Sequence, residues 1–380
     1  MSFAFLRTVS FRNLVDAETD VRGKDIFLVG ENGQGKSNFL EALYFCSYAS
    51  SFRGARERDL IRNGDKDCSA VAVLNGSAYS NVNVSVRDGK KSILLDAKKA
   101  EDRKELLSVA PSVIFSHEDM EFVAGTPERR RWFFDQTRSL WDPLYLDDLR
   151  KYRHILKSKN AVFRPGSPRE NGSRRDLTGE RNFSLDGDSI AILNAIDPQL
   201  AMYGLELIRK RRETAEKFSA VFEPLYQDIS GIAGIGVKYL PSWKDEGLTE
   251  TISYLHERRR LDAAFGSSLS GPHRDRYLFT HRGEDFSQKA STGQRRLLAL
   301  LLRIAQAKIY SEKTGKKPVL LLDDVLLELD GEKRRKFLLA IPEYEQAFYT
   351  FLPGEPYDRY RKPDTIVYCI SSGKVRGEAT

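Results

Sequence analysis

Gly30-Glu-Asn-Gly-Gln-Gly-Lys-Ser37 decides the reading of this chain. Its spacing, G-x-x-x-x-G-K-S, is that of a phosphate-binding loop. The apolar run Asp25-Ile-Phe-Leu-Val29 leads into it and reads as a buried strand. Leu40, Leu43 and Tyr44 then fall at helical spacing within Asn38–Phe45. Strand, glycine loop and helix together form the setting in which the spacing has chemical meaning. Gly30, Gly33 and Gly35 let successive backbone N–H groups curl around phosphate oxygens, and the positive end of the helix faces the same anion. The expected nucleotide contacts are Gly30, Glu31, Asn32, Gly33, Gln34, Gly35, Lys36 and Ser37. Lys36 is the catalytic cation for the β- and γ-phosphates, and the Ser37 hydroxyl is a Mg²⁺ ligand, so ATP and Mg²⁺ are the expected cofactors.

Working outward, a second element belongs to the same chemistry. Pro318-Val-Leu-Leu-Leu-Asp-Asp324 reads as a buried strand ending in two carboxylates. Alone it is a strand running into an acidic turn. Beside a phosphate loop, Asp323 is placed to complete the metal shell, and Asp324 to polarise the water that attacks the γ-phosphate. Between the two elements the chain changes character twice. Phe3–Leu14 reads as an opening strand, and Ser51–Gly64 is a basic stretch. Residues 68–96 alternate as a strand meander punctuated by Asn75-Gly76 and Asp88-Gly89. Pro111–Phe115 is another short strand. From Thr126, an N-cap before Pro127, to about Ala264 the pattern reads as helices, interrupted by a Gly-, Ser-, Pro- and Arg-rich loop over Arg164–Asp188. After Gly266 strands return, at Ala347–Thr350 and Thr365–Ile370. The expected organisation is a nucleotide-binding head split between 1–125 and 265–380, with 126–264 inserted as a helical arm.

Composition sets the limits. Hydrophobic residues make up 41% and charged residues 30%, as in a soluble globular protein. The net charge of +7 and a pI of about 9.1 lean towards polyanionic partners. Cys46, Cys68 and Cys369 form no C-x-x-C pair, which fits reduced, inert thiols. Met1–Arg7 meets charge too soon for a signal peptide, and no long uncharged apolar run offers a membrane span. A cytoplasmic protein is expected.

Ser291-Thr-Gly-Gln294, before the apolar helix Leu297–Ile309, resembles the signature motif of ATP-binding-cassette ATPases. The wider set is more specific. Arg12-Asn-Leu14, the phosphate loop with Leu40-Glu-Ala42, Ser51-Phe-Arg53 and Leu60-Ile-Arg62 stand in the first part. Arg129-Arg-Arg131 with Asp135, Tyr152-Arg153, Asn160, Tyr203-Gly204 and Ile208-Arg-Lys-Arg211 follow. Gly271-Pro-His-Arg-Asp275, Leu321-Leu-Asp-Asp-Val325 and Glu328-Leu-Asp330 complete it. By these stretches the chain resembles the RecF family of SMC-like cassette ATPases. The resemblance implies an α/β head with an antiparallel β lobe and an inserted helical arm. It implies ATP-driven homodimerisation, with Ser291, Gly293 and Gln294 completing the other subunit's γ-phosphate site. It further implies slow DNA-stimulated hydrolysis on gapped DNA or single- and double-strand junctions, in DNA repair, the SOS response and replication restart. Cooperation with RecR, RecO and RecA, and no membrane, belong to the same expectation. Two departures stand out: Leu327 replaces the family's D-loop serine, and the Arg164–Asp188 loop is long.

The basic clusters are ambiguous, because arginines often line solvated helix faces. The stretch 126–264 carries 24 Lys+Arg against 21 Asp+Glu, so it is no uniformly positive rod. Any DNA contact there needs discrete patches that grip phosphates without reading sequence. Arg53, Arg56 and Arg58, and Arg129, Arg130 and Arg131, are the candidates. Two other readings carry the same loop: the nucleotide-binding subunit of a transporter, and a scaffold that binds nucleotide without turnover. A long-armed SMC-type ATPase needs far more heptad coiled coil than the insert holds.

Overall fold

The computed structural model describes residues 1–163, 185–244, 247–326 and 329–378. Leu327 and residues 164–184 of the long loop lie outside them. The chain divides into two compact units. One comprises Met1–Ala124, Val221–Gly234 and Lys289–Thr380, and the other Gly125–Ala220 and Ile235–Gln288.

The first unit holds two sheets. Its parallel sheet contains β3 (Asp25–Val29), β8 (Ser112–Phe115), β12 (Val319–Leu322), β13 (Gln346–Phe351) and β14 (Ile366–Ser371), with β15 (Lys374–Gly377) as an antiparallel edge. The order is β15-β14-β3-β13-β12-β8. All residues of β3, β8, β12 and β13 are buried, as a sheet covered on both faces requires. The second sheet is antiparallel, in the order β2-β1-β4-β5-β6-β7. Its strands are β1 (Ser2–Val9), β2 (Ala17–Asp20), β4 (Cys68–Asn75), β5 (Asn81–Arg87), β6 (Lys90–Leu95) and β7 (Lys98–Lys99). In β4 every second residue is buried, the signature of one core face. The helices α1 (Lys36–Tyr48) and α8 (Thr292–Thr314) pack against this core, α1 touching β4 and α8 touching β8. The short helix α2 (Met120–Val123) packs on α8, and α9 (Gly331–Ala340) follows β12. Phe27 sets its ring edge-on to Phe351 at 5.0 Å and to Tyr349 at 5.4 Å. Each such buried ring contributes about 2–3 kcal/mol of transfer free energy.

The second unit contains α3 (Pro127–Ser139), α4 (Leu144–Val162), α5 (Gly187–Ser230) up to Ala220, and α6 (Leu248–Phe265). It also holds a three-stranded antiparallel sheet: β11 (Glu284–Asp285), β10 (Arg276–His281) and β9 (Ile235–Leu240). The all-helical reading of 126–264 is therefore corrected. β9 follows the turn glycines Gly231 and Gly234 and buries alternate residues Ile235 and Val237 against β10. This pairing also carries the unit past the expected boundary at 264, to Gln288. The opening strand ends at Val9 rather than Leu14, because Ser10 and Arg12 take positive φ angles of 50° and 54°.

Candidate nucleotide site

The site is built at the C-terminal ends of β3, β12 and β13. Gly30 leaves β3 so close to β14 that a Cβ there would stand 2.3 Å from the Ile370 carbonyl oxygen. Gly35, at φ 120°, turns the chain into α1 in a conformation that side chains resist. Asn13 braces the loop from outside: its amide donates to the Gly33 carbonyl at 3.0 Å, and its oxygen accepts from Asn38 at 2.7 Å. The Gln34 carbonyl takes the Gly373 N–H at 2.9 Å. Lys36 curls back over this frame. Only 4% exposed, it donates to the carbonyls of Gly30 at 2.7 Å and Glu31 at 3.2 Å. Among the described residues no carboxylate lies within ion-pairing distance of it.

β12 delivers the carboxylates. The Ser37 hydroxyl donates to Asp323 Oδ1 at 2.8 Å across 286 residues. Thr350, on β13, sits between the acids. Its Oγ1 lies 3.2 Å from Asp323 Oδ1 and 2.9 Å from Asp324 Oδ1, and accepts the Asp324 N–H at 2.7 Å. Asp324 stands at φ 53°, a left-handed position that aspartate tolerates better than most residues. Burial, aided by the charge of Asp324, pushes the Asp323 carboxyl up to about 6, against the Ser37 and Thr350 hydrogen bonds. A hydroxyl and a carboxylate are hard oxygen donors of the kind that share Mg²⁺ with phosphates and water. The donor set therefore fits that ion, with Ser37 and Asp323 as its protein ligands. Bound there, Mg²⁺ would neutralise charge on the β- and γ-phosphate oxygens.

Ser291, Gly293 and Gln294 stand apart from this cluster, at the N-terminal end of α8, with Ser291 as its cap. Ser291 Oγ accepts the Gln294 N–H at 3.3 Å, and Gln294 Oε1 accepts the Ser291 N–H at 2.8 Å, a reciprocal capping box. Ser291 and Gly293 are exposed, leaving the helix end open to solvent.

The family model for the RecF/RecN/SMC N-terminal domain matches residues 4–353. The "DNA replication and repair protein RecF" of Treponema pallidum (strain Nichols) is 41% identical over 370 residues, covering 97% of this chain and 99% of that protein. The chain belongs to the RecF family. Two solved structures of the recombination mediator protein RecF in the RecFOR pathway share the fold throughout. The one with ATP superposes with a TM-score of 0.85 at 28% identity, covering 99% of this chain and 97% of the other. The one described as RecF-ATPrS gives 0.80 at 27% identity, covering 100% and 98%. The family's ATPase-type α/β head is thus the first unit's architecture.

In this RecF-family chain the candidate arginines separate. Arg130 is spent internally: it donates to the Tyr277 carbonyl at 3.2 Å and Ser287 Oγ at 3.0 Å, with its guanidinium over the Phe279 ring. Arg131 is buried and donates to the Asp275 carbonyl at 2.7 Å and to Glu128 at 2.9 Å. Both were expected to face DNA. Their donors instead tie α3 to the β10 region, which corrects that expectation. Arg129, Arg56 and Arg58 are exposed. Arg53 is half-buried, donating to Asn38 Oδ1 at 2.8 Å and standing 3.8 Å from Glu41. Glu41, fully buried in α1, takes a bidentate pair from Arg12 at 2.9 and 3.1 Å and the Ser51 hydroxyl. Sequence reasoning gave Glu41 no role. A glutamate inside the apolar run Phe39–Cys46 of α1, with Arg12 in a tight turn, was the available signal.

Proposed function

We propose that the chain is an ATP-dependent DNA-binding protein of recombinational repair and replication, acting as RecF-family members do. The observation that carries this is Lys36, buried and without an ion partner among the described residues, beside the Ser37–Asp323–Thr350–Asp324 cluster. A buried cation without a carboxylate partner calls for an anion, and the loop's N–H groups and helix end define a phosphate. In this reading Lys36 holds the γ-phosphate. Asp324, kept in place by Thr350, accepts hydrogen bonds from the attacking water, its short side chain making turnover slow. The solvent-facing Ser291–Gln294 turn caps the γ-phosphate of a second copy, so ATP joins two heads around DNA and hydrolysis parts them. A gapped or junction DNA, and loading of RecA with RecR and RecO, complete the reading. Among the described residues no helix is long and apolar enough to cross a membrane.

The test is steady-state hydrolysis with and without duplex DNA, for the parent and Lys36→Arg. The expected result is slow hydrolysis that DNA stimulates and the variant loses. Rates indifferent to DNA would count against a DNA clamp. Sedimentation gives the second arm, with mass doubling in ATP and Mg²⁺ but not in ADP. Equal mass in both would remove the dimer switch, since a ligand shifts an equilibrium only by its differential affinity.

A further inference from the structure

The second unit contains a cavity of about 370 Å³, between α3, α4 and the Pro272–Arg274 turn, that shares no residue with the phosphate-loop site. The polar groups of its floor engage one another. Arg211 donates from Nε and Nη2 to Asp135 at 2.9 and 2.8 Å, and from Nη1 to Asp275 at 2.8 Å. His273 closes one side in a fixed neutral form. The Ser268 carbonyl at 3.0 Å can only accept, so Nε2 carries the proton and Nδ1 accepts from the Tyr152 hydroxyl at 2.8 Å.

The rim is different. Arg153 and Arg274 line the opening, both exposed, and among the described residues neither guanidinium has a hydrogen-bond or ion-pair partner. Trp132 stands beside them with 38% of its surface exposed. The one exposed carboxylate of the lining, Glu128, is already engaged by Arg131. Two free guanidinium forks and a partly exposed indole are thus presented over a floor whose polar groups are engaged with one another.

We propose that this cavity binds one nucleotide unit of an unpaired nucleic-acid strand, with Arg153 and Arg274 on its phosphates and Trp132 against its base. The guanidinium fork matches phosphate geometry, and an indole offers any base a stacking face. Bases within a duplex are already stacked on both sides, so the indole selects a single strand. An acidic peptide shares the charge, but a protein anchor fills a deep apolar pocket. Here Leu149 and the aromatic rings are the apolar lining. The assignment rests on the DNA-binding reading above and adds a strand-selective contact outside the ATPase site.

The experiment uses the full chain, a fluorescein-labelled oligothymidylate and a blunt duplex of equal length, read by anisotropy across a salt series. Arg153→Ala/Arg274→Ala should weaken strand binding about tenfold and lower its salt slope by about 1.4, two phosphates at about 0.7 each. Trp132→Ala should cost about tenfold with the slope unchanged. Duplex affinity should stay within about twofold, and Arg153→Lys/Arg274→Lys should restore the slope. Unchanged melting temperatures establish that the variants fold. Strand affinity unchanged in both variants, with duplex still bound, overturns the cavity assignment and leaves the DNA reading standing. A parent protein that binds neither strand nor duplex overturns the DNA reading itself. Competition by thymidine monophosphate equal to that of the strand would assign the cavity to a free nucleotide. Equal competition by polyglutamate would assign it to an acidic protein segment. Either result overturns the strand assignment.

Discussion

Lys36 and Arg211 are equally hidden, each 4% exposed, yet their surroundings are opposite. Arg211 lies between two carboxylates, with the Pro272 carbonyl at 2.6 Å and the Tyr145 hydroxyl at 3.2 Å completing its donors. Lys36 has two backbone carbonyls and no ion partner among the described residues. A buried charge that is matched serves architecture, because its desolvation is offset within the fold. A buried charge that the fold leaves unmatched calls for a ligand of opposite sign. The two units thus use the same kind of group for different ends, and burial alone would not tell them apart.

The widest break in this comparison should come from Arg211→Leu. It strands Asp135 and Asp275 in the interior, with an expected loss of about 3–5 kcal/mol in urea unfolding. A loss under about 1 kcal/mol would mean that the network does not hold the second unit together. Lys36→Met should do the reverse. Stability without ligand should hardly change, because no ion pair is broken. ATP hydrolysis should fall by about 10²–10³-fold, and the ATP-induced rise in melting temperature should vanish. If Lys36→Met unfolds the protein as Arg211→Leu does, the distinction collapses.

A third prediction concerns acid. Burial, with Arg274, Arg131 and Arg211 nearby, pushes His273 down to about 4 from its usual 6.5. Above pH 6.5 the imidazole is neutral in both folded and unfolded chains and contributes no pH dependence. Between 6.5 and 4 the unfolded chain takes up a proton that the folded one refuses. Stability should therefore fall with pH, by at most about 1.4 kcal/mol per unit. His273→Gln should flatten that limb of a pH–stability profile, and an unchanged slope would place the acid sensitivity elsewhere. The smallest effect separates the two roles of Ser291. As an N-cap its loss to alanine should cost about 1 kcal/mol, and to glycine only a few tenths. A γ-phosphate contact in a second copy would make both variants equally poor in hydrolysis. Hydrolysis that tracks cap strength instead would leave Ser291 a structural residue.

The phosphate loop, the acidic end of β12 and the start of α8 were legible because each is written in neighbouring residues. The meander of β4 to β6 was legible for the same reason, since alternation and turn pairs are local. β9 was not: Ile235–Leu240 is short, lies between long helices, and is a strand because β10 pairs with it. The matched network escaped for a plainer reason. Arg211 meets Asp135 across 76 positions and Asp275 across 64, and nothing near Arg211 in the chain distinguishes it from Arg209 and Arg212. Arg130 and Arg131 looked like a surface patch for the same cause, their partners Tyr277, Ser287 and Asp275 being far downstream. Thr350 was visible as the end of a strand, but its place between two aspartates was not.

The position of β3 also bears on how the protein is made. Its neighbours in the sheet are β13 and β14, so the strand that carries the phosphate loop emerges from the ribosome long before either partner. At about 5–20 residues per second, the roughly 320 residues from β3 to the end of β13 take about 15–65 s. Through that interval Ile26, Phe27, Leu28 and Val29, all buried in the finished sheet, are an apolar strand without a mate. Synthesis of this chain should thus lean on cellular holding factors until its last strands arrive, and truncations before residue 346 should accumulate as insoluble material.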